Sequence, residues 1–308
     1  ELGLWFVLSI PALTAGFVLS GFFKGLGVPA IGVGLESGLP ALLASLAVLL
    51  LQQVFSYENE IVIGVAYCVS AWSVIGVGLA YLVIDSSRTH WKFSVADILE
   101  QLNGFYARVK SFHLILIGNF FHANAYVLIV SIQLGADDAG MLRVVERLAM
   151  LISFPLTVVN AICARFFALS YNDGDYYELK REYRKSALTS FSLGLPVFLV
   201  VVGFSGTILR GFEIDPIRGG ALLLLLAMGH MVNILTGSIA VLLNMTGYEK
   251  LVRNVTLLNS LVSLPTLWVM ATIGAYNVAF ALTVFLVAQN ALLVFYGFKY
   301  IIGNRGLR

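Results

Sequence analysis

The chain has 308 residues, of which 59% are hydrophobic and only 12% charged, with a net charge of +2. Soluble domains carry about 25% charged residues, so the expected solvent is the bilayer rather than water. The small net charge gives nucleic acid no electrostatic hold, and the two cysteines, Cys68 and Cys163, form neither a disulfide framework nor a metal spacing.

From the first residue, Glu1, the chain runs straight into an apolar stretch with no charged leader or cleavage site ahead of it, which reads as an N-terminal truncation. A membrane-spanning helix needs about 20 mainly apolar residues. The segments 2–23, 36–55, 61–84, 111–133, 139–169, 187–209, 218–245, 253–274 and 276–301 meet that length. No strand-length alternation is visible, so the fold class is all-α, a polytopic bundle of membrane helices. Pro11, Pro40, Pro155, Pro196 and Pro265 fall inside these segments, each removing a backbone donor and favouring a kink.

Alternate loops collect the positive charge: Lys24 after the first segment, then Arg88, Lys92, Arg108 and Lys110, then Lys180, Arg181, Arg184 and Lys185, then Lys250, and finally Lys299, Arg305 and Arg308. The positive-inside rule places these loops and the C-terminus in the cytoplasm. Within the long third loop, Ser94 and Asp97 form a helix-start pattern. Val95, Ile98, Leu99, Leu102, Tyr106 and Val109 then recur at helical spacing, as an amphipathic interfacial helix would.

Charge at membrane depth is costly and marks function by default. Arg143 and Arg147 are four apart on one helical face, and Glu146 neutralises only one of them. The surplus charge meets either lipid headgroups or an aqueous cavity, where a guanidinium fork suits phosphate oxygens. Arg165, at the far end of the same segment, reads as a snorkelling anchor. Asn119, His122 and Tyr126 form a polar stripe on the fourth segment, and His230 and Asn233 form another on the seventh. Such stripes either join helices or line a cavity. The sequence holds neither a phosphate-cradling glycine loop nor a metal or nucleophile–base constellation, so no cofactor, metal or catalytic residue is expected and the chain is not expected to be an enzyme.

The stretch "VLLNMTGYEKLVRNVTLLNSLV" (241–262) resembles the polysaccharide-biosynthesis exporters, the O-antigen flippases of the multidrug/oligosaccharidyl-lipid/polysaccharide exporter superfamily. "AGMLRVVERLAMLISFPLTVVNAI" (139–162) is similar to that family's eighth helix, and "ALSYNDGDYYELKREYRKSA" (168–187) to the loop and helix start that follow. Where the family usually has a proline at the end of the eighth helix, this chain has Arg165. The resemblance implies nine of twelve helices in a two-lobe transporter: residues 1–84 from the N-terminal lobe, 85–110 as the linker, and 111–308 as a six-helix C-terminal lobe.

It further implies a flippase moving undecaprenyl-diphosphate-linked oligosaccharide across the bacterial inner membrane by alternating access, with H+ or Na+ as coupling ion and membrane lipids as surroundings. Under that resemblance Arg143, Arg147 and Glu146 form the anion-binding group. Asn119, His122, His230 and Asn233 contact sugar hydroxyls or polar helix neighbours, and Lys24 and Arg165 are secondary or interfacial. The competing expectations are a multidrug or cation antiporter of the same superfamily and, from another class, a membrane-embedded glycan polymerase or ligase.

Overall fold

A computed structural model describes residues 2–26, 28–55, 61–86 and 95–302, with backbone alone for residues 2, 29, 30, 37, 54, 55, 84–86, 95–108, 122 and 302. The described residues are almost entirely helical. Among them, eight helices are long and apolar enough to cross a membrane, and a ninth apolar helix, Leu39–Gln53, is shorter. The protein is therefore an all-α, multi-pass membrane protein. The chain separates into two units, Glu1–Ile98 and Leu99–Arg308.

In the first unit, α1 (Leu2–Gly25) packs against α4 (Ile61–Ser86). Between them in sequence, α2 (Pro29–Val33) passes through a π-helical turn at Gly34–Gly38 into α3 (Leu39–Phe55). Lipid tails are as apolar as leucine, so burial alone does not hold helices together in a bilayer, and close approach and polar bonds must. Gly16 supplies the close approach: a Cβ there would sit 2.5 Å from the Leu35 carbonyl oxygen. The π turn supplies the polar bonds. It presents Glu36 to α1, where Lys24 pairs with it and Ser20 Oγ donates to it at 3.0 Å. Lys24, the expected loop cation, is thus half of an ion pair inside the unit. Glu36→Gln is expected to cost about 1–2 kcal/mol of stability, read as a lower thermal midpoint in detergent, because it leaves a half-buried ammonium without its counter-charge. The apolar pair Lys24→Met/Glu36→Leu is expected to regain most of that loss.

The helix α5 runs unbroken from Val95 to Leu134, and all of it from Leu99 onward belongs to the second unit. The interfacial helix and the fourth span expected from the sequence are one rod; Ser94, the expected cap, lies outside the described residues. The fifth span is α6 (Ala136–Met150), a 3-10 turn at Leu151–Ser153, and α7 (Phe154–Asn172). Pro155 explains the tightening: it has no N–H for the carbonyl a turn earlier. α8 (Tyr176–Gly203) starts well before the expected boundary at 187, so Lys180, Arg181, Arg184 and Lys185 ride on its first turns. Asp175 caps it, accepting from the Glu178 N–H at 2.9 Å. α9 (Ser205–Gly211) is a short helix that leads toward α10.

The span expected over 218–245 is two helices, α10 (Pro216–Leu235) and α11 (Ile239–Met245), parted at Thr236–Ser238. Gly237 adopts φ +60° there, and the freed groups find partners. Tyr183 Oη donates to the Thr236 carbonyl at 2.9 Å, and the Ser238 N–H to Ser186 Oγ at 3.4 Å. α12 (Glu249–Ala271) and α13 (Ala275–Gly297) complete the unit. Its core has a small cluster of Ile152, Leu156, Ala227 and Ile234 and two larger parts. One surrounds Tyr126, Leu142, Val145, Leu223 and Leu282, the other Phe167, Leu242, Leu243 and Leu293. Large apolar side chains such as Leu128, Ile132, Leu188 and Leu261 lie more than 60% exposed, as a lipid-facing surface requires.

Candidate functional site

Four helices of the second unit enclose a cavity of about 240 Å³. α5 contributes Asn119, Ala123 and Tyr126, and α6 contributes Glu146, Arg147 and Met150. Leu226 and His230 come from α10, and Leu282, Thr283 and Leu286 from α13. The helical repeat produces this wall: Asn119, Ala123 and Tyr126 follow at spacings of four and three, and Leu226 and His230 at four.

The three charges divide the work unequally. Arg143 is not part of the cavity wall. Its Nη1 donates to the Ala123 carbonyl at 3.0 Å and to Tyr126 Oη at 3.3 Å, its Nη2 donates to Asn124 Oδ1 at 3.1 Å, and its guanidinium lies 6.0 Å from the centre of the Tyr126 ring. Arg143 therefore clamps α6 to α5. Glu146 Oε2 accepts from Tyr126 Oη at 3.3 Å and lies 3.7 Å from both Arg143 Nη1 and Arg147 Nε. Its side chain is 15% exposed, while that of Arg147 is 52% exposed. The remaining Arg147 contact is Nη1 to Met150 Sδ at 3.5 Å, a weak acceptor. The surplus positive charge on this face thus belongs to Arg147, which presents it to the cavity.

This division predicts two different defects. Arg143→Ala is expected to lower the thermal midpoint, since three hydrogen bonds from a charged donor onto α5 are lost, even one of which contributes about 1.5–3 kcal/mol. Arg147→Ala is expected to leave the midpoint nearly unchanged. Unfolding curves of the two purified variants check this.

His230 turns its Nδ1 to Ser153 Oγ at 2.8 Å, and Asn233 reaches the same oxygen at 3.1 Å without lining the cavity. The His122 side chain lies outside the described residues. Arg165 is exposed on α7, away from the cavity wall. The sequence reading missed Ser153 and Thr283 and left Tyr126 among stripe residues. A serine two residues before Pro155 was the available signal for Ser153. Thr283 Oγ1 lies 2.9 Å from the Ala279 carbonyl and 3.2 Å from that of Leu225, its one proton serving either, and nothing in its apolar run marked it.

Larger hollows lack this chemistry. One of about 450 Å³ in the first unit is lined mainly by aliphatic side chains with Ser73 and Tyr81. Another of about 710 Å³, around Asn244 and Tyr248, has no arginine, lysine or histidine. A third sets Asp137, Asp138, Glu213 and Asp215 against the single Arg218 and would repel an anion. Among the described residues no three His, Cys, Asp or Glu side chains gather as a metal site.

No protein-family model matches the chain, and no curated protein matches it either. Three solved structures do. A MATE in complex with MaL6 aligns at TM-score 0.68 and 14% identity, over 94% of this chain and 66% of the other. A MATE in the straight conformation aligns at 0.57 and 16%, over 98% and 77%. An outward-facing multidrug resistance MATE family transporter of the MOP superfamily aligns at 0.56 and 15%, over 96% and 70%. At these identities the likeness is one of fold, and the chain spans just under two thirds of the length of the first of them.

Proposed function

We propose that this protein belongs to a membrane transporter that carries an anionic, polyprenyl-diphosphate-linked oligosaccharide across the bacterial inner membrane by alternating access, with its C-terminus cytoplasmic. The observation that carries it is Arg147: a half-exposed guanidinium in a cavity between four helices, with one shared carboxylate against it among the described residues. A planar cation of this kind matches two phosphate oxygens at once. Asn119 on the same wall offers an amide to a sugar hydroxyl or to a phosphate oxygen. Residues 111–308 act in this proposal as the cargo-binding lobe. The fold shared with MATE transporters supports transport rather than catalysis.

Multidrug or cation antiport is the second reading. It is favoured by the three MATE neighbours and by Glu146, whose carboxylate borders the same cavity and would attract a cation. Reconstituted vesicles separate the two. Accessibility of a fluorescent undecaprenyl-diphosphate sugar in the outer leaflet should rise with the protein present, while efflux of a cationic dye such as ethidium should not. Dye efflux without lipid translocation would establish the antiporter instead.

A further inference from the structure

Many serines and threonines inside the helices here give their hydroxyl proton to a carbonyl one turn back, as Thr246 does to Leu242 and Thr266 to Val262, both at 2.8 Å. Ser153 sits in the 3-10 turn and has no such bond. Its oxygen accepts from Asn233 Nδ2 at 3.1 Å, and its single proton has one acceptor among the described residues, His230 Nδ1 at 2.8 Å. An imidazole that accepts at Nδ1 carries its proton on Nε2. Nε2 has no protein partner among the described residues, and His230 lines the cavity. Glu146, the one carboxylate in that wall, is already shared by Tyr126, Arg143 and Arg147.

We propose that Asn233 and Ser153 are positioning residues that hold His230 in its Nε2–H form, so that the ring donates a hydrogen bond to an oxygen of the phosphate-bearing cargo held in the same cavity as Arg147. The cargo part rests on the transport function proposed above; the tautomer part does not. Besides the Asn119 amide on α5, the cavity then offers an anion a charged donor on α6 and a neutral one on α10. Asn233 serves this ring instead of touching cargo.

The test is 15N spectroscopy of imidazole-labelled full chain in nanodiscs, with His230→Gln assigning the signal and farnesyl diphosphate as the probe. In the ligand-free protein the expected pattern is a protonated Nε2 and a hydrogen-bonded, unprotonated Nδ1. Ser153→Ala should move the Nδ1 resonance to its unbonded position, and Ser153→Thr should restore it. A protonated Nδ1 in the wild type overturns the proposal. Adding farnesyl diphosphate should shift the Nε2 resonance, and Ser153→Ala should weaken its binding by about 3- to 10-fold, the loss of one modest hydrogen bond. Saturable binding that leaves Nε2 unmoved also overturns it. A wild-type protein that does not bind farnesyl diphosphate at all overturns the transport function, while the ligand-free spectrum still decides the tautomer.

Discussion

Arg147→Ala is expected to cut translocation of a diphosphate-linked lipid by roughly 10- to 100-fold. A hydrogen bond to a charged group contributes about 1.5–3 kcal/mol, and each 1.4 kcal/mol is tenfold. Arg147→Glu should abolish translocation, because two adjacent carboxylates would then face the phosphates. Arg147→Lys should recover part of the rate, since the charge returns without the planar fork. Flux in vesicles with matched protein content measures all three. The unfolding midpoint serves as the control, since among the described residues Arg147 makes only long contacts, to Glu146 and Met150. Flux in Arg147→Ala equal to wild type would remove Arg147 from the cargo site.

Gly237→Val is expected to be the most damaging single change to the fold. Gly237 holds φ +60° between α10 and α11, and a Cβ there would meet Ala187 Cβ at 2.7 Å, Cα at 2.8 Å and N at 3.0 Å. The left-handed conformation alone costs an L-residue about 1–2 kcal/mol. Overpacking against a backbone that cannot rotate away adds about 1–3 kcal/mol more. The Tyr183 and Ser186 bonds to this turn would be displaced with it. Loss of monodisperse protein on extraction, or a large drop in thermal midpoint, is the expected readout. Gly220→Val, at a helical position where an added Cβ meets nothing within 4 Å, should behave nearly as wild type.

Hydropathy alone reveals the class of this fold, because a spanning helix must satisfy its backbone internally and so leaves a long apolar run. The same averaging hides what happens inside a run. Thr236–Gly237–Ser238 reads as three weakly polar residues within the segment 218–245, yet it is a turn, because Tyr183 and Ser186 from α8 supply the bonds a helix would have made. In the cavity, Arg147 is visible in sequence because a charge among leucines is conspicuous. The different employment of Arg143 is not visible. It depends on the carbonyl of Ala123 and the amide of Asn124, twenty and nineteen residues away on another helix. Ser153 and His230 are 77 residues apart, beyond the reach of any local spacing rule.

The 3-10 turn at Leu151–Ser153 sets a stroke length for the arginine it follows. Arg147 stands about six residues from Ser153, roughly 9 Å along the axis. A bend of about 20° at the joint, of the size seen at helix kinks, would therefore sweep its Cα by only about 3 Å. That is the scale on which a hydrogen bond is made or broken. A joint a whole span away, about 30 Å off, would move the charge by about 10 Å, whereas this one moves it by no more than a hydrogen bond's length.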